Sequence, residues 1–174
     1  AQRMSLRLLY PFLVTSMGSA LPSNDRIVWL EEAVEPASRL GRPFLILAQL
    51  GHLAFREGDY ETAQTWYQKA ILDSLSSPDD GGVMLSLIYT NLGITQFDRA
   101  SPAPALASFA HATTYPQATA ADWSNLGFAN FRIARFHESE MSFTVSLRMA
   151  ELVSDWTRER MKTNGLPDLA RWVA

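Results

Sequence analysis

FLILAQLGHLAFREGDYETAQTWYQKA, residues 44–70, decides the fold. Leu47, Leu50, Gly51 and Ala54 recur at i, i+3, i+4 and i+7, the spacing of one helix face. Glu57-Gly58-Asp59 interrupts that pattern with a glycine that tolerates positive φ and an aspartate able to cap a following helix. A second periodic run carries Ala63, Tyr67 and Ala70. The stretch therefore predicts helix, tight turn, helix. Neither half is apolar enough to stand alone, so each needs a neighbour.

The neighbours are further copies of the same stretch. Asn91-Leu92-Gly93 and Asn125-Leu126-Gly127 repeat Gln49-Leu50-Gly51. Gly93 and Gly127 are 34 residues apart; Gly51 and Gly93 are 42 apart, which is 34 plus an insertion of 8. In this register Leu47…Leu50-Gly51…Ala54 pairs with Ala63…Tyr67…Ala70. Tyr89…Leu92-Gly93…Gln96 pairs with Ala105…Phe109…Ala112 and Pro116, and Trp123…Leu126-Gly127…Asn130 with Ser139…Phe143…Ser146. The pattern resembles the tetratricopeptide repeat family, whose signature is W-x2-L-G-x2-Y, then A-x3-F, then P. No copy keeps the tyrosine at the fourth signature position, and the last has serine for both alanines. The resemblance implies an all-α, right-handed α-solenoid of antiparallel helix pairs.

Taken in order, residues 1–174 read as one such domain. A degenerate helix pair is expected over 4–37, with helices at 4–20 and 24–35, because Pro11-Phe12-Leu13 resembles Pro43-Phe44-Leu45 and Trp29 to Ala33 resembles Trp66 to Ala70. Terminal repeats of solenoids have one neighbour only and are commonly atypical. Pro36 and Gly41-Arg42-Pro43 punctuate the chain. The first clear repeat, 43–75, has helices at 43–56 and 60–75. Ser76 to Gly82 is a run of turn-forming residues and reads as an acidic loop. The second repeat, 83–116, has helices at 83–97 and 102–114, with Ser101-Pro102 as N-cap and first helical residue. The third, 119–152, opens with a helix at 119–133. Its last helix starts near Phe136 and keeps apolar spacing to about Lys162. Residues 153–174 then form a capping extension and tail, with Asn164-Gly165 as the helix stop.

Composition narrows the function classes. A 47% hydrophobic fraction is that of a globular protein. A formal net charge of −3 argues against nucleic acid as the main partner. The absence of cysteine removes disulfides, thiolate metal sites and a cysteine nucleophile. No apolar run reaches the length of a membrane span. Met4 to Ala20 combines an arginine, a short apolar core and a small-x-small end, which resembles a signal peptide. An envelope, extracellular or organellar placement would follow from that; an amphipathic helix is the reading adopted.

The family resemblance implies that the first helix of each pair lines a concave groove. The groove residues are then Leu45, Ala48, His52, Phe55 and Arg56 in the first clear pair. In the second they are Leu87, Thr90, Asn91, Ile94, Phe97 and Asp98, and in the third Ala121, Ser124, Asn125, Phe128, Phe131 and Arg132. Phe55, Phe97, Phe128 and Phe131 make an apolar strip where a solvated face would carry charge. Chaperone-binding members of the family clamp a C-terminal carboxylate with polar and basic groups on this stripe; Thr90 and Ser124 do not supply them. An apolar strip of this kind fits a helical or extended segment of a partner protein. The competing expectation is that the chain's own tail fills it.

Two apolar ends support an alternative. Leu9, Phe12 and Leu13 mark the N-terminal end, and Val153, Trp156, Leu169 and Trp172 the C-terminal end. Contact between unlike ends of two copies makes a ring or an open filament. Catalysis is not expected. His52, His111 and His137 fall in three different repeats with no metal-ligand spacing, and Asp79-Asp80-Gly81-Gly82 lacks the alternating acids of a calcium loop. No phosphate loop, nucleophile elbow or dinucleotide fingerprint is present. No metal and no cofactor are expected, and the partner is a protein or peptide, or a second copy of the chain.

Overall fold

The computed structural model describes residues 23–39, 43–76, 81–99 and 101–163. Among these, the chain forms α1 (Ser23–Ser38), α2 (Pro43–Arg56), α3 (Tyr60–Ser76), α4 (Gly81–Asp98), α5 (Pro102–Thr113), α6 (Ala120–Arg132) and α7 (Phe136–Thr163). No strand occurs among the described residues. α2/α3, α4/α5 and α6/α7 are helical hairpins; α1 stacks on α2, α3 on α4 and α5 on α6. First helices also meet across hairpins, α2 with α4 and α4 with α6. The array is an all-α solenoid of antiparallel pairs.

The glycine register explains how each hairpin closes. A Cβ built on Gly51 would lie 2.8 Å from the Tyr67 ring, one on Gly93 2.6 Å from Phe109, and one on Gly127 3.0 Å from Phe143. In each case the ring sits sixteen residues after the glycine and occupies the space a side chain would take. The turns repeat as well. Asp59 N–H donates to Ala54 O, Ser101 N–H to Gln96 O and Arg135 N–H to Asn130 O, each at 3.0 Å. Gly58 turns the first hairpin at φ 79°, and Ala134 takes the same place in the third at φ 61°. A residue in this left-handed region is a common way to reverse the chain off the end of a helix.

The core shifts in character along the array. α1 contributes Leu30, Ala33 and Ala37 against Ile46, Leu50 and Leu53 of α2. The next cluster runs through α2, α3 and α4, from Phe44 and Leu47 through Tyr67 and Ile71 to Leu85, Ile88 and Leu92. The third is smaller, with Ala105, Phe109 and Ala129 at its centre. There, polar groups enter. Ser108 Oγ donates to Gln96 Oε1 at 2.7 Å, Ser139 Oγ to the Gly127 carbonyl at 2.9 Å and Ser146 Oγ to the Ala120 carbonyl at 2.7 Å. Ser139 and Ser146 replace the signature alanines because their hydroxyls tie α7 to α6, each bond worth about 1 kcal/mol net.

Four local expectations need correction. α1 runs through Pro36 to Ser38, although a proline there has no N–H to donate and crowds the carbonyl four residues earlier; the packing of Ala33 and Ala37 against α2 accompanies the helical continuation. α4 begins at Gly81, so Gly81 and Gly82 are helical and not loop; the first N–H groups of a helix have no internal partner to lose. Pro102 is at the start of α5 as expected, but the Ser101 side chain makes no capping bond. Thr119 is the cap of α6, outside it, and forms a reciprocal capping box with Asp122. The expected helix at 4–20 and the tail 164–174 lie outside the described residues.

Candidate partner-binding face

The face in question belongs to α2, α4 and α6. In α2, Leu45, Ala48 and Phe55 are half-buried against the large core cluster, while His52 and Arg56 are exposed. Desolvation of the His52 ring, and then the nearby Arg56 charge, hold its pKa below the usual histidine range. The ring is therefore neutral at pH 7.

In α4, Leu87 is exposed and Asn91, Ile94 and Phe97 are half-buried. Thr90 does not belong to the accessible face. It is 7% exposed, and its hydroxyl donates to Asp122 Oδ1 across the joint to α6. Asp122 is itself buried and also accepts from Ser86 Oγ at 3.4 Å, Thr119 N–H at 2.6 Å and Thr119 Oγ1 at 2.9 Å. Ser86 Oγ in turn lies 3.0 Å from the Ala112 carbonyl. This buried carboxylate joins α4, α5 and α6. Its trace in the sequence is the Thr119-x-x-Asp122 capping pattern.

In α6, Phe128 and Phe131 are 48% and 53% exposed, and Arg132 is exposed at the last turn. The four phenylalanines do not form one uniform strip. Phe55 rests on Tyr60, ring centroids 5.5 Å apart, and Phe131 on Phe136 at 5.8 Å, so each is held by the first residue of its own second helix. The residue equivalent to Tyr60 and Phe136 in the middle hairpin is Pro102. Phe97 instead packs against Phe128 of the next hairpin at 5.4 Å, and the Arg132 guanidinium covers the Phe97 ring at 5.2 Å. Aromatic and cation–π contacts of this geometry contribute about 0.5–1.5 kcal/mol each.

Of the end residues, Val153 is exposed on α7. The Trp156 side chain, and all of Leu9, Phe12, Leu13, Leu169 and Trp172, lie outside the described residues. No group of His, Asp or Glu among the described residues could hold a metal ion. No described helix is long and apolar enough to cross a membrane.

No protein-family model matches the sequence, and no curated protein does. Solved structures do. The crystal structure of BtubC (BKLC) from P. vanneervenii superposes with a TM-score of 0.71 at 16% identity, over 86% of this chain and 64% of that one. The chain thus spans just under two thirds of BtubC. The crystal structure of MamA gives a TM-score of 0.71 at 16% identity, over 87% of this chain and 81% of that one. Pseudomonas aeruginosa pilF gives 0.56 at 13% identity, over 99% and 89%. At such identities the likeness concerns the fold. With the repeated glycine-on-ring contacts and the 34-residue register, it gives the chain a tetratricopeptide-like α-solenoid fold.

Proposed function

We propose that the chain is a non-enzymatic protein-interaction module, and that the face built by α2, α4 and α6 receives a segment of a partner protein. The observation that carries this reading is the aromatic surface at the α4–α6 joint. Phe97 and Phe128 pack together there, while Phe128 and Phe131 remain about half exposed. Burying a phenylalanine contributes about 1.5–3 kcal/mol, so a few such rings support micromolar binding after the cost of association. The test places a photo-crosslinking amino acid at position 128 in cells, with position 72 on α3, also exposed and apolar, as control. A defined adduct from 128, lost when Phe131 is changed to Glu, supports the reading. Equal adducts from 128 and 72 refute it.

A second reading is self-assembly, and it has its own observation. Leu147 occupies the place in α7 that Ile71 occupies in α3. Ile71 is 7% exposed under α4, whereas Leu147 is 65% exposed. Among the described residues, α7 thus leaves open at Leu147 the side that α3 buries under α4. Head-to-tail stacking through the N- and C-terminal ends, including Val153, would cover it. Light scattering across a concentration series tests this reading: a monomer at all concentrations refutes it. If larger species form, changing Leu147 to Glu should dissolve them.

A further inference from the structure

α7 departs from α3 along one line of its outer surface. An offset of 76 residues, the separation of Gly51 and Gly127, matches Met141, Val145, Met149 and Leu152 of α7 with Thr65, Lys69, Asp73 and Ser76 of α3. On α3 these four side chains are polar and engaged within the chain. The Thr65 and Ser76 hydroxyls donate to the Glu61 and Leu72 carbonyls, and Lys69 Nζ sits 4.4 Å from the Trp66 ring centroid. Asp73 Oδ2 accepts the Phe44 N–H at the start of α2 at 3.0 Å. On α7 those tasks are gone. Ser142 stands in the place of Trp66, and α6 is capped locally by Thr119 and Asp122. All four positions carry apolar residues instead. Met141 and Leu152 are 58% and 69% exposed, and Val145 and Met149 are half-buried.

The spacing keeps the four residues on one narrow stripe of the helix. In the sequence Trp156 follows at the next interval. The stripe also lies on a helix that outruns its support. Ser146 Oγ bonds the carbonyl of Ala120, the first residue of α6, yet α7 continues to Thr163. Residues 147–163 span about 25 Å of helix past that level.

A second copy of this chain is the occupant whose pattern fits. Val145, Met149, Leu152 and Trp156 are spaced 4, 3 and 4 apart, which reads the same in both directions. A copy turned end for end therefore sets Val145 level with Trp156 and Met149 level with Leu152, on both sides of a two-fold axis. In that register Arg148 lies level with residue 153 of the copy, between its Glu151 and Asp155. Arg148, Glu151 and Asp155 are exposed on one flank of the stripe, and Arg148 has no ion pair among the described residues. Each cation thus falls between two acids, and the two-fold axis repeats the arrangement. A parallel copy would set Arg148 level with Arg148. A lipid surface calls for basic residues along the polar side of such a helix and would meet Glu151 and Asp155 here.

We infer that α7 pairs antiparallel with α7 of a second copy through Val145, Met149 and Leu152, with Met141 at the margin, to give a closed two-fold dimer. The contact uses none of the residues of the α2–α4–α6 face, so it stands apart from the binding role proposed above. It also differs from head-to-tail stacking. Leu147 lies about 140° around the helix from Leu152, and an isologous contact stops at two copies.

Sedimentation equilibrium of the full chain, from micromolar to millimolar concentration, tests this, with melting temperature as the folding control for each variant. The contact is small, so the expected result is a monomer–dimer equilibrium with a dissociation constant of micromolar order. Leu152→Glu and Arg148→Glu should each weaken it by about tenfold or more, and Leu147→Glu should leave it unchanged. A Glu151→Arg/Asp155→Arg variant should also dimerise poorly alone. Mixed with the Arg148→Glu protein it should pair again, because every arginine then faces acids. A mixture that stays monomeric overturns the antiparallel arrangement. A monomer at every concentration overturns the inference, and so does a monomer that dimerises only once residues 164–174 are removed, since the chain's own tail is then the occupant. Dimers that survive Leu152→Glu, or species that grow past two copies and dissolve on Leu147→Glu, overturn it in favour of another surface.

Discussion

The Phe109 ring stands where Gly93 has no side chain, with ring carbon Cε1 2.6 Å from the position a Cβ would take. Gly93→Ala forces that ring off α4, an overpacking cost of about 1–3 kcal/mol that outweighs the roughly 1 kcal/mol gained in helix propensity. Gly51→Ala, with Tyr67 at 2.8 Å, should cost somewhat less. Gly127→Ala should be close to neutral, because Phe143 is 3.0 Å away and only half-buried, so its ring can yield. Thermal unfolding of the three variants checks the order.

Asp122→Ala removes the acceptor of the Thr90 hydroxyl and of the Thr119 N–H, and leaves the buried Thr90 hydroxyl unmatched, while Ser86 keeps the Ala112 carbonyl. The expected loss is about 2–4 kcal/mol, with about 1–3 kcal/mol from the unsatisfied Thr90 hydroxyl and about 1 kcal/mol from the lost bond to the Thr119 N–H. A Thr90→Val/Asp122→Ala double variant should lose less than the sum of the single changes, since the partners are removed together. Urea denaturation of the four proteins in this cycle measures the coupling; full additivity would contradict a shared network.

Gly58 and Ala134 hold the same turn in the first and third hairpins, both at positive φ. Ala134→Gly should stabilise the chain by about 1 kcal/mol, relieving the steric penalty of a Cβ in the left-handed region. Gly58→Ala should destabilise by a similar amount: a Cβ there meets nothing within 4 Å, so the backbone conformation is the only source of strain. Opposite shifts of a few degrees in melting temperature would verify this.

His52 gives a pH signature. Its folded pKa lies below the ordinary value because of desolvation and the Arg56 charge, so the unfolded chain binds the proton more readily. The stability contributed by keeping this ring neutral is full above about pH 6.5 and is lost as pH falls through the depressed folded value. His52→Gln should flatten that part of the stability–pH curve, and Arg56→Ala should move the midpoint upward. An NMR titration of the His52 ring protons reads both.

The hairpins were legible in the sequence because their causes are local or strictly periodic. A glycine and an aromatic residue sixteen positions apart recur three times, and in the first and third hairpins the turn between them takes positive φ at Gly58 and Ala134. The individual roles on the outer face were less legible. Thr90 has the spacing of a groove residue and is buried only because Asp122, thirty-two residues later, reaches it. Phe97 looks equivalent to Phe55 and Phe131, yet it turns to the next hairpin because Pro102 replaces the aromatic residue that holds the other two.

The exchange of Ala63 and Ala70 for Ser139 and Ser146 gives the array two different responses to temperature. The α2–α3–α4 region is held by hydrocarbon burial, whose strength fades on cooling. The α6–α7 hairpin relies more on hydroxyl-to-carbonyl bonds, which do not weaken in the same way. In the cold the two regions of the solenoid draw level in stability. On warming they part, and α7 becomes the end from which the chain unzips.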